Sequence, residues 1–129
     1  MVTVRHAPTS AGEVRRQLTD DLLRSGMPRD VVQDASLLAS ELVGNSVRYA
    51  HPLPGGVLRV TWSVDPGRVL LRVTDGGGRQ SPHVRAAGPS DVRGRGLAIV
   101  DSLARDWGVD RRESGVGPVS TVWAEVAAN

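Results

Sequence analysis

The stretch ELVGNSVRYA, from Glu41 to Ala50, decides how the rest of the sequence is interpreted. It continues a helical apolar stripe, and a stretch rich in proline and glycine then ends the helix. At about 100° per residue, Glu41, Asn45 and Arg48 fall together on one flank of that stripe. An amide oxygen suits Mg²⁺, a carboxylate one turn away can act as a base, and an arginine can reach a phosphate. The alternative is a partly solvated helix flank whose polar side chains are in loose contact.

One strand and a first helix precede this second helix. Val2 to His6 alternates in polarity and predicts a short edge strand. Ser10-Ala-Gly-Glu13 is a capping-box pattern, so the first helix is expected to begin there and end near Gly26. Pro28 suits the first turn of the second helix. The apolar stripe of the second helix consists of Val31, Ala35, Leu38, Leu42 and Ser46.

The remaining sequence predicts four strands and a third helix. The expected elements are a hairpin of Val57 to Val64 and Val69 to Val73 around Pro66-Gly67, a helix from Leu97 to Leu103, and strands at Trp107 to Val109 and Val119 to Val126. Helices and strands occur in groups, which is typical of α+β proteins. We therefore expect residues 1–129 to form a single domain, a two-layer sandwich with about three helices on one face of a mixed, mainly antiparallel sheet.

Composition excludes several kinds of chemistry. The chain has no cysteine and only three well-separated histidines, which argues against a disulfide framework, a thiolate nucleophile and a zinc site. It also has no lysine, which removes the Walker A motif, the strand lysine of ordinary protein kinases and Schiff-base chemistry. The small net charge of +2 and the few aromatic residues argue against nucleic-acid binding. No segment resembles a signal peptide or a membrane span, so we expect a soluble, cytoplasmic protein without membrane attachment.

Two further segments are unusual for a domain without a ligand. Asp75 closes an apolar strand and is followed at once by three glycines, so it is expected to be half-buried and to need a donor. That donor is either an adenine amino group or a nearby backbone amide. Gly94-Arg-Gly-Leu97 opens the third helix, where free N–H groups favour phosphate, unless the glycines serve packing alone. The residues between these segments predict a long loop, which is usually functional or mobile.

Taken together, these segments resemble the sequence boxes of one superfamily. Glu41-x-x-x-Asn45, Asp75-x-Gly77, Gly94-x-Gly96-Leu97 and the late strand bearing Thr121 resemble, in order, the asparagine box, two glycine boxes and terminal threonine of the histidine-kinase-like (GHKL) ATPases. The resemblance runs from about Leu37 to Ala124 and implies their Bergerat-type ATP-binding fold. The small size and the Ser40–Arg48 helix look most like the stand-alone anti-sigma factor serine kinases.

The resemblance implies a role for each matching residue. Asn45 is expected to hold Mg²⁺, Glu41 to act as general base or polarising group, and Arg48 to face phosphate. Asp75 is expected to accept from the adenine amino group, and Gly77 to let the ring approach. Phosphate binding falls to Gly94, Arg95, Gly96 and Leu97, the ATP lid to residues 80–93, and a water-mediated contact near adenine to Thr121.

The same resemblance implies an activity and partners. It points to an ATP-binding anti-sigma factor that phosphorylates a serine of an anti-sigma factor antagonist, binds a sigma factor in another state, and forms a homodimer. A non-catalytic ATP/ADP-binding regulator that acts by partner contact is the main alternative, and an interaction domain without nucleotide is a third. Arg79 replaces the last glycine of the usual first glycine box, so the lid is expected to hinge differently. The superfamily also includes sensor kinases, DNA gyrase and a family of heat-shock chaperones. The sequence shows no helix bearing a phosphoacceptor histidine, so a complete sensor kinase is not expected. It also lacks the second domain that gyrase and the chaperones need for coupled ATP hydrolysis, so an ATPase of that kind is not expected either.

Overall fold

The computed structural model describes residues 1–78, 98–115 and 117–128. The elements in chain order are β1 (Val2–Arg5), α1 (Ser10–Arg24), α2 (Arg29–Tyr49), β2 (Val57–Asp65), β3 (Arg68–Asp75), α3 (Ala98–Leu103), β4 (Asp106–Ser114) and β5 (Gly117–Ala127). This order is the one that the sequence predicts. None of the described helices combines the length and the apolar character needed to cross a bilayer.

The strands form one five-stranded sheet in the order β1-β2-β3-β5-β4. All of the pairings between these strands are antiparallel. β2 and β3 form the predicted hairpin, in which Gly67 takes the left-handed conformation with φ 68°. The expectation of an α+β fold with a mainly antiparallel sheet is confirmed, and the described strands contain no parallel pair. β3 is the central strand of the sheet, and Asp75 is its last residue.

One face of the sheet forms the core together with the helices. Alternate residues of the strands are buried on this face, as in the opposed pairs Val60–Val73 and Leu71–Ala124. The buried apolar residues of α1 and α2 belong to the same cluster and include Val14, Leu18, Leu22, Val31, Leu38 and Leu42. Val31, Leu38 and Leu42 belong to the apolar stripe that the sequence predicts for α2. Burial of the whole cluster supplies most of the favourable free energy of folding, because each large aliphatic side chain contributes about 1.5–3 kcal/mol.

The start of α1 differs from the predicted capping box. Thr9 is the N-cap residue, no side chain caps the helix, and Ser10 already lies within it. The Ser10 hydroxyl instead donates to the carbonyl oxygen of Arg5 at 2.6 Å. The capping-box prediction was therefore wrong, because the hydroxyl forms a bond between α1 and the end of β1.

The last two strands are longer than the sequence predicts. β4 continues through five polar residues after Val109, and β5 begins at Gly117. The pairing of Arg112 with Val119 and of Glu113 with Pro118 shows that the ladder continues to the turn. Apolar alternation could not reveal this extension, because the end of an edge strand forms backbone hydrogen bonds while its side chains remain exposed.

Candidate functional site

The flank of α2 that carries Glu41, Asn45 and Arg48 lies at the edge of the core, as its angular position predicts. Glu41 and Asn45 are partly buried and Arg48 is exposed. The Arg48 guanidinium folds back along the helix, and its Nη2 atom donates to Asn45 Oδ1 at 3.4 Å. The same guanidinium lies 5.7 Å from the centroid of the Tyr49 ring. Arg48 therefore neighbours the amide of Asn45 and is free to turn from it towards a more strongly charged group.

Asn45 carries an amide nitrogen that the described residues leave unpaired. Its Nδ2 atom is buried and has no hydrogen-bond partner among the described residues. Buried polar atoms nearly always have a partner, so this amide is open to one beyond the described residues, such as a bound ligand. The orientation of an amide is assigned from its hydrogen bonds, so either terminal atom can face that partner.

The surroundings of Asn45 suit Mg²⁺ held mainly by phosphate. The described part of the chain contains no group of three or more His, Cys, Asp or Glu side chains that could enclose a metal ion. Mg²⁺ does not need such a group, since it commonly takes one or two protein oxygens, several waters and the oxygens of a nucleotide. Asn45 can supply one such oxygen, with Glu41 one turn away. When bound, the ion neutralises negative charge on the transferred phosphoryl group.

Asp75 is more deeply buried than the sequence predicts, with 4% of its surface exposed. Its Oδ1 atom accepts from the backbone N–H of Gly77 at 2.8 Å, and its Oδ2 atom accepts from the Ser46 hydroxyl at 2.6 Å. The Gly77 amide is the nearby backbone donor that the sequence offered as an alternative to an adenine amino group. An ionised carboxylate has about four acceptor positions, so these two donors leave capacity for a third, such as an amino group of a ligand.

Burial raises the pKa of Asp75 above its ordinary value of 3.8. The hydrogen bonds from Ser46 and Gly77 and the nearby His6 and His51 side chains act in the opposite direction and lower that pKa. Desolvation is the larger effect, so the protein holds a carboxylate where the charged form is disfavoured. Such a group is characteristic of functional sites.

The glycines after Asp75 let the chain pass very close to the segment that follows α2. A Cβ atom on Gly76 would lie 2.3 Å from the carbonyl oxygen of Pro52, which only glycine avoids. Backbone bonds run from Gly76 N to His51 O and from His51 N to Gly77 O, both at 2.8 Å. Gly77 itself has φ +89° and lies near Pro118, so its described role is conformational. The close approach of an adenine ring to Gly77 stays a prediction.

Thr121 does not share a face of the sheet with Asp75. It is paired with Thr74, and the two hydroxyl oxygens lie 2.9 Å apart. Asp75 is paired with Ser120, and directly opposed residues in an antiparallel ladder share a face, whereas their neighbours point to the other side. Ser120, which is 5% exposed, occupies the face of Asp75, and a contact of Thr121 near the adenine stays a prediction.

The second glycine box lies outside the described residues. This applies to Gly94, Arg95, Gly96 and Leu97, and to the predicted lid at residues 80–93. The described structure begins again at Ala98, where α3 begins. The structure thus brings together the first two predicted segments, the α2 flank and the start of the first glycine box, while the phosphate-binding roles of the second box stay predictions.

Sequence reasoning missed the residue that links the two segments. Ser46 was placed in the apolar stripe of α2, and it is indeed buried. A hydroxyl in an otherwise apolar stripe needs a partner, and this requirement was a usable signal. Its partner is Asp75, 29 positions further along the chain. Gly76 and Ser120 were missed because their roles depend on long-range contacts.

These features suit a nucleotide with its metal ion: a buried carboxylate that can accept from a base, and an amide on the neighbouring helix that can supply an oxygen to a metal ion. The sequence matches the family model for the histidine kinase-like ATPase domain over residues 4–123. Because this match covers most of the chain, the protein belongs to that family. It is therefore an ATP-binding module of the histidine-kinase-like type. A search of curated proteins gave no match.

Proposed function

We propose that this protein is an ATP-dependent protein serine kinase and anti-sigma factor. The observation that supports catalysis is the place of Glu41, a partly buried carboxylate one helical turn before Asn45. Nucleotide binding needs the donors and acceptors at Asn45 and Asp75, whereas it does not need a base beside the metal-binding amide. The resemblance of Ser40–Arg48 to the stand-alone anti-sigma factor serine kinases supports the same assignment.

In the proposed reaction, the γ-phosphoryl group of ATP moves to a serine hydroxyl of an anti-sigma factor antagonist. A bond forms between the serine oxygen and phosphorus, the bond to the β,γ-bridging oxygen breaks, and ADP leaves. Glu41 accepts the proton of the serine hydroxyl. Asp75 holds the adenine by its amino group, Asn45 contributes an oxygen to Mg²⁺, and Arg48 turns to a phosphate. Gly94, Arg95, Gly96 and Leu97 complete the phosphate contacts.

The partners belong to the proposal as well. A sigma factor binds the protein in one nucleotide state, the antagonist is phosphorylated in another, and partner exchange is the switch. Both partners act in the cytoplasm, which places this protein there. We further propose a homodimer, with β1 and α1 as a candidate contact surface.

The test is a pull-down from a lysate of the source organism with the protein loaded with Mg-ADP or Mg-ATP. Mass spectrometry identifies the captured proteins and maps newly phosphorylated serines. A sigma factor and a small protein phosphorylated on serine are the expected result. Capture that depends on nucleotide but includes no sigma factor and no phosphoserine would instead support a non-catalytic ATP/ADP-binding regulator.

Glu41→Gln is the matched variant for the catalytic role. Glutamine has the size of glutamate but cannot take the proton, so the variant is expected to bind Mg-ATP normally and to lose at least about 100-fold in phosphotransfer. Binding is measured by calorimetry, and transfer by the appearance of phosphoserine on the captured antagonist. Transfer at the wild-type rate would remove Glu41 from the mechanism while leaving the ATP site in place.

A further inference from the structure

His6 connects the first strand to the end of the helix that carries Asn45. It follows β1 directly and is partly buried. Its Nε2 atom lies 2.8 Å from the carbonyl oxygen of Ala50 and 3.0 Å from that of Ser46. Both residues are more than 35 positions away in the sequence, so this contact joins two separate elements.

The chemistry of these contacts fixes the state of the ring nitrogen. A carbonyl oxygen can only accept, so Nε2 must carry a hydrogen that it shares between the two oxygens. Both the neutral ring protonated at Nε2 and the imidazolium meet this requirement. The last carbonyls of a helix have no partner within the helix, and a glycine in the left-handed conformation often resolves this. α2 has no such cap, since Ala50 is extended with φ −122°. The Ser46 carbonyl already accepts from the backbone N–H of Ala50 at 3.0 Å, so His6 adds a second donor to it and supplies a donor to the Ala50 carbonyl.

The two carbonyls belong to the residues that join α2 to the first glycine box. Ser46 donates its hydroxyl to Asp75 Oδ2, and Ala50 forms a β-bridge with Gly78. A shift in the last turn of α2 therefore moves both the donor to the buried carboxylate and the strand-like contact that holds the glycines after it. Asn45 lies in the same turn, directly before Ser46.

We propose that His6 is a positioning residue of the nucleotide site, which fixes the last turn of α2 so that Ser46 and Ala50 hold Asp75 and the first glycine box in the binding geometry. This inference rests on the ATP-binding function of the family. His6 touches neither the base nor the phosphates in this role, and it acts through Ser46 and Ala50.

The imidazole is not needed to keep its own segment in place. β1 is paired with β2 from Val2 to Arg5, and the backbone N–H of His6 donates to Gly56 O at 2.9 Å. The Ser10 hydroxyl bonds to the carbonyl of Arg5 in addition. These contacts anchor the segment without the imidazole, so the hydrogen bonds of the His6 side chain are available to hold the end of α2.

The experiment compares three variants of the full chain by calorimetric titration with Mg-ATP, with thermal unfolding as a check on folding. In His6→Gln, one amide nitrogen carries two hydrogens for the two carbonyls. His6→Met has a similar length and cannot donate. Thr19→Val is the control, since it removes a different hydrogen bond between helices, the 2.7 Å contact of Thr19 with Ser36, away from the site.

We expect His6→Met to weaken Mg-ATP binding about three- to tenfold, the fold-change expected for one lost net hydrogen bond. His6→Gln is expected to stay within about twofold of the wild type, and Thr19→Val to lower the melting temperature without changing affinity. Unchanged affinity in His6→Met overturns the inference, and so does weakening without rescue in His6→Gln or equal weakening in Thr19→Val.

Two other outcomes are also decisive. If His6→Met does not fold, His6→Asn replaces it, because its donor is one carbon shorter and cannot span both carbonyls. Wild-type affinity in His6→Asn overturns the inference, and weaker binding supports it. If the wild-type protein binds no Mg-ATP, the nucleotide site itself is absent and the inference fails with it, which distinguishes this result from a failure confined to His6.

Discussion

Asp75→Asn separates the effect of the buried carboxylate on the stability of the protein from its role in nucleotide binding. The asparagine Oδ1 can still accept from the Gly77 amide, and its Nδ2 can donate to the Ser46 hydroxyl, which rotates to accept. Both contacts of the native side chain are thus retained within the protein. The variant loses the charge whose burial raises the pKa of Asp75. We therefore expect the ligand-free variant to be as stable as the wild type, or more stable, at neutral pH.

The effect on nucleotide binding has the opposite sign. An adenine amino group meets a neutral amide in place of a carboxylate, and a hydrogen bond to a charged group is worth about 1.5–3 kcal/mol. That loss corresponds to about a 10- to 150-fold weaker affinity. A nucleotide concentration of 100 times the wild-type Kd stabilises the wild type by about 2.7 kcal/mol, whereas the variant gains only about 0.3–1.4 kcal/mol at that concentration.

Calorimetry gives the affinities, and urea unfolding with and without Mg-ATP gives the stabilities. Binding within twofold of the wild type would show that Asp75 does not receive the base. A ligand-free variant that is less stable by more than about 1 kcal/mol would show that the carboxylate serves folding instead of binding. Calorimetry therefore tests the role of Asp75 in binding the base, and urea unfolding separately tests the effect of its buried charge on stability.

The raised pKa of Asp75 also predicts the pH dependence of both properties. The native state holds the proton of Asp75 more tightly than the unfolded state, so the contribution of this group to stability falls as pH rises from about 3.8 through its native pKa. Mg-ATP affinity changes the other way and falls as pH is lowered through that pKa, because a protonated carboxyl loses acceptor capacity. In Asp75→Asn, neither stability nor Mg-ATP affinity should show this pH dependence. Protonation of ATP affects both proteins equally, so the variant serves as the control for it. Identical pH profiles for the two proteins would contradict the assignment.

Two glycines give predictions of opposite sign. Gly76→Ala would place a Cβ atom 2.3 Å from the carbonyl oxygen of Pro52, so urea unfolding should show a loss of at least about 2 kcal/mol; wild-type stability would contradict this packing. Gly44→Ala should raise stability by about 0.5–1 kcal/mol, because the added Cβ atom meets the Arg48 guanidinium at ordinary distances of 3.5 Å or more and alanine favours the helix. Gly12→Ala, in α1 and away from the site, is the control, and a loss of stability confined to Gly44→Ala would mean that Arg48 needs the space.

The parts of the site that follow from helical periodicity could be predicted from the sequence. The positions of Glu41, Asn45 and Arg48 on one flank depend only on their spacing and on the apolar stripe beside them. The end of β3 at Asp75 follows in the same way from strand alternation and the glycines that come next. Local pattern is sufficient wherever a single element places the side chain.

The parts that depend on how two elements meet could not be predicted. Whether Ser120 or Thr121 shares the face of Asp75 depends on the register of β5 against β3, and a shift of one residue moves every side chain to the other face. The choice of Thr121 rested on the resemblance to the terminal threonine of the histidine-kinase-like ATPases, which carries no information on this register. Similarly, Gly76 requires the absence of a side chain only because the segment after α2 returns to pair with it.

The chemistry of the site explains why two unfavourable features occur together. Asp75 is a buried carboxylate with a raised pKa, and Asn45 has a buried amide atom without a partner among the described residues. Each feature costs stability, and an apolar residue at either position would remove that cost. The two are connected through Ser46, which follows Asn45 in sequence and donates to Asp75. Two features that each cost stability and lie at one place are better explained by a ligand than by folding, since a ligand that meets both of them recovers both costs.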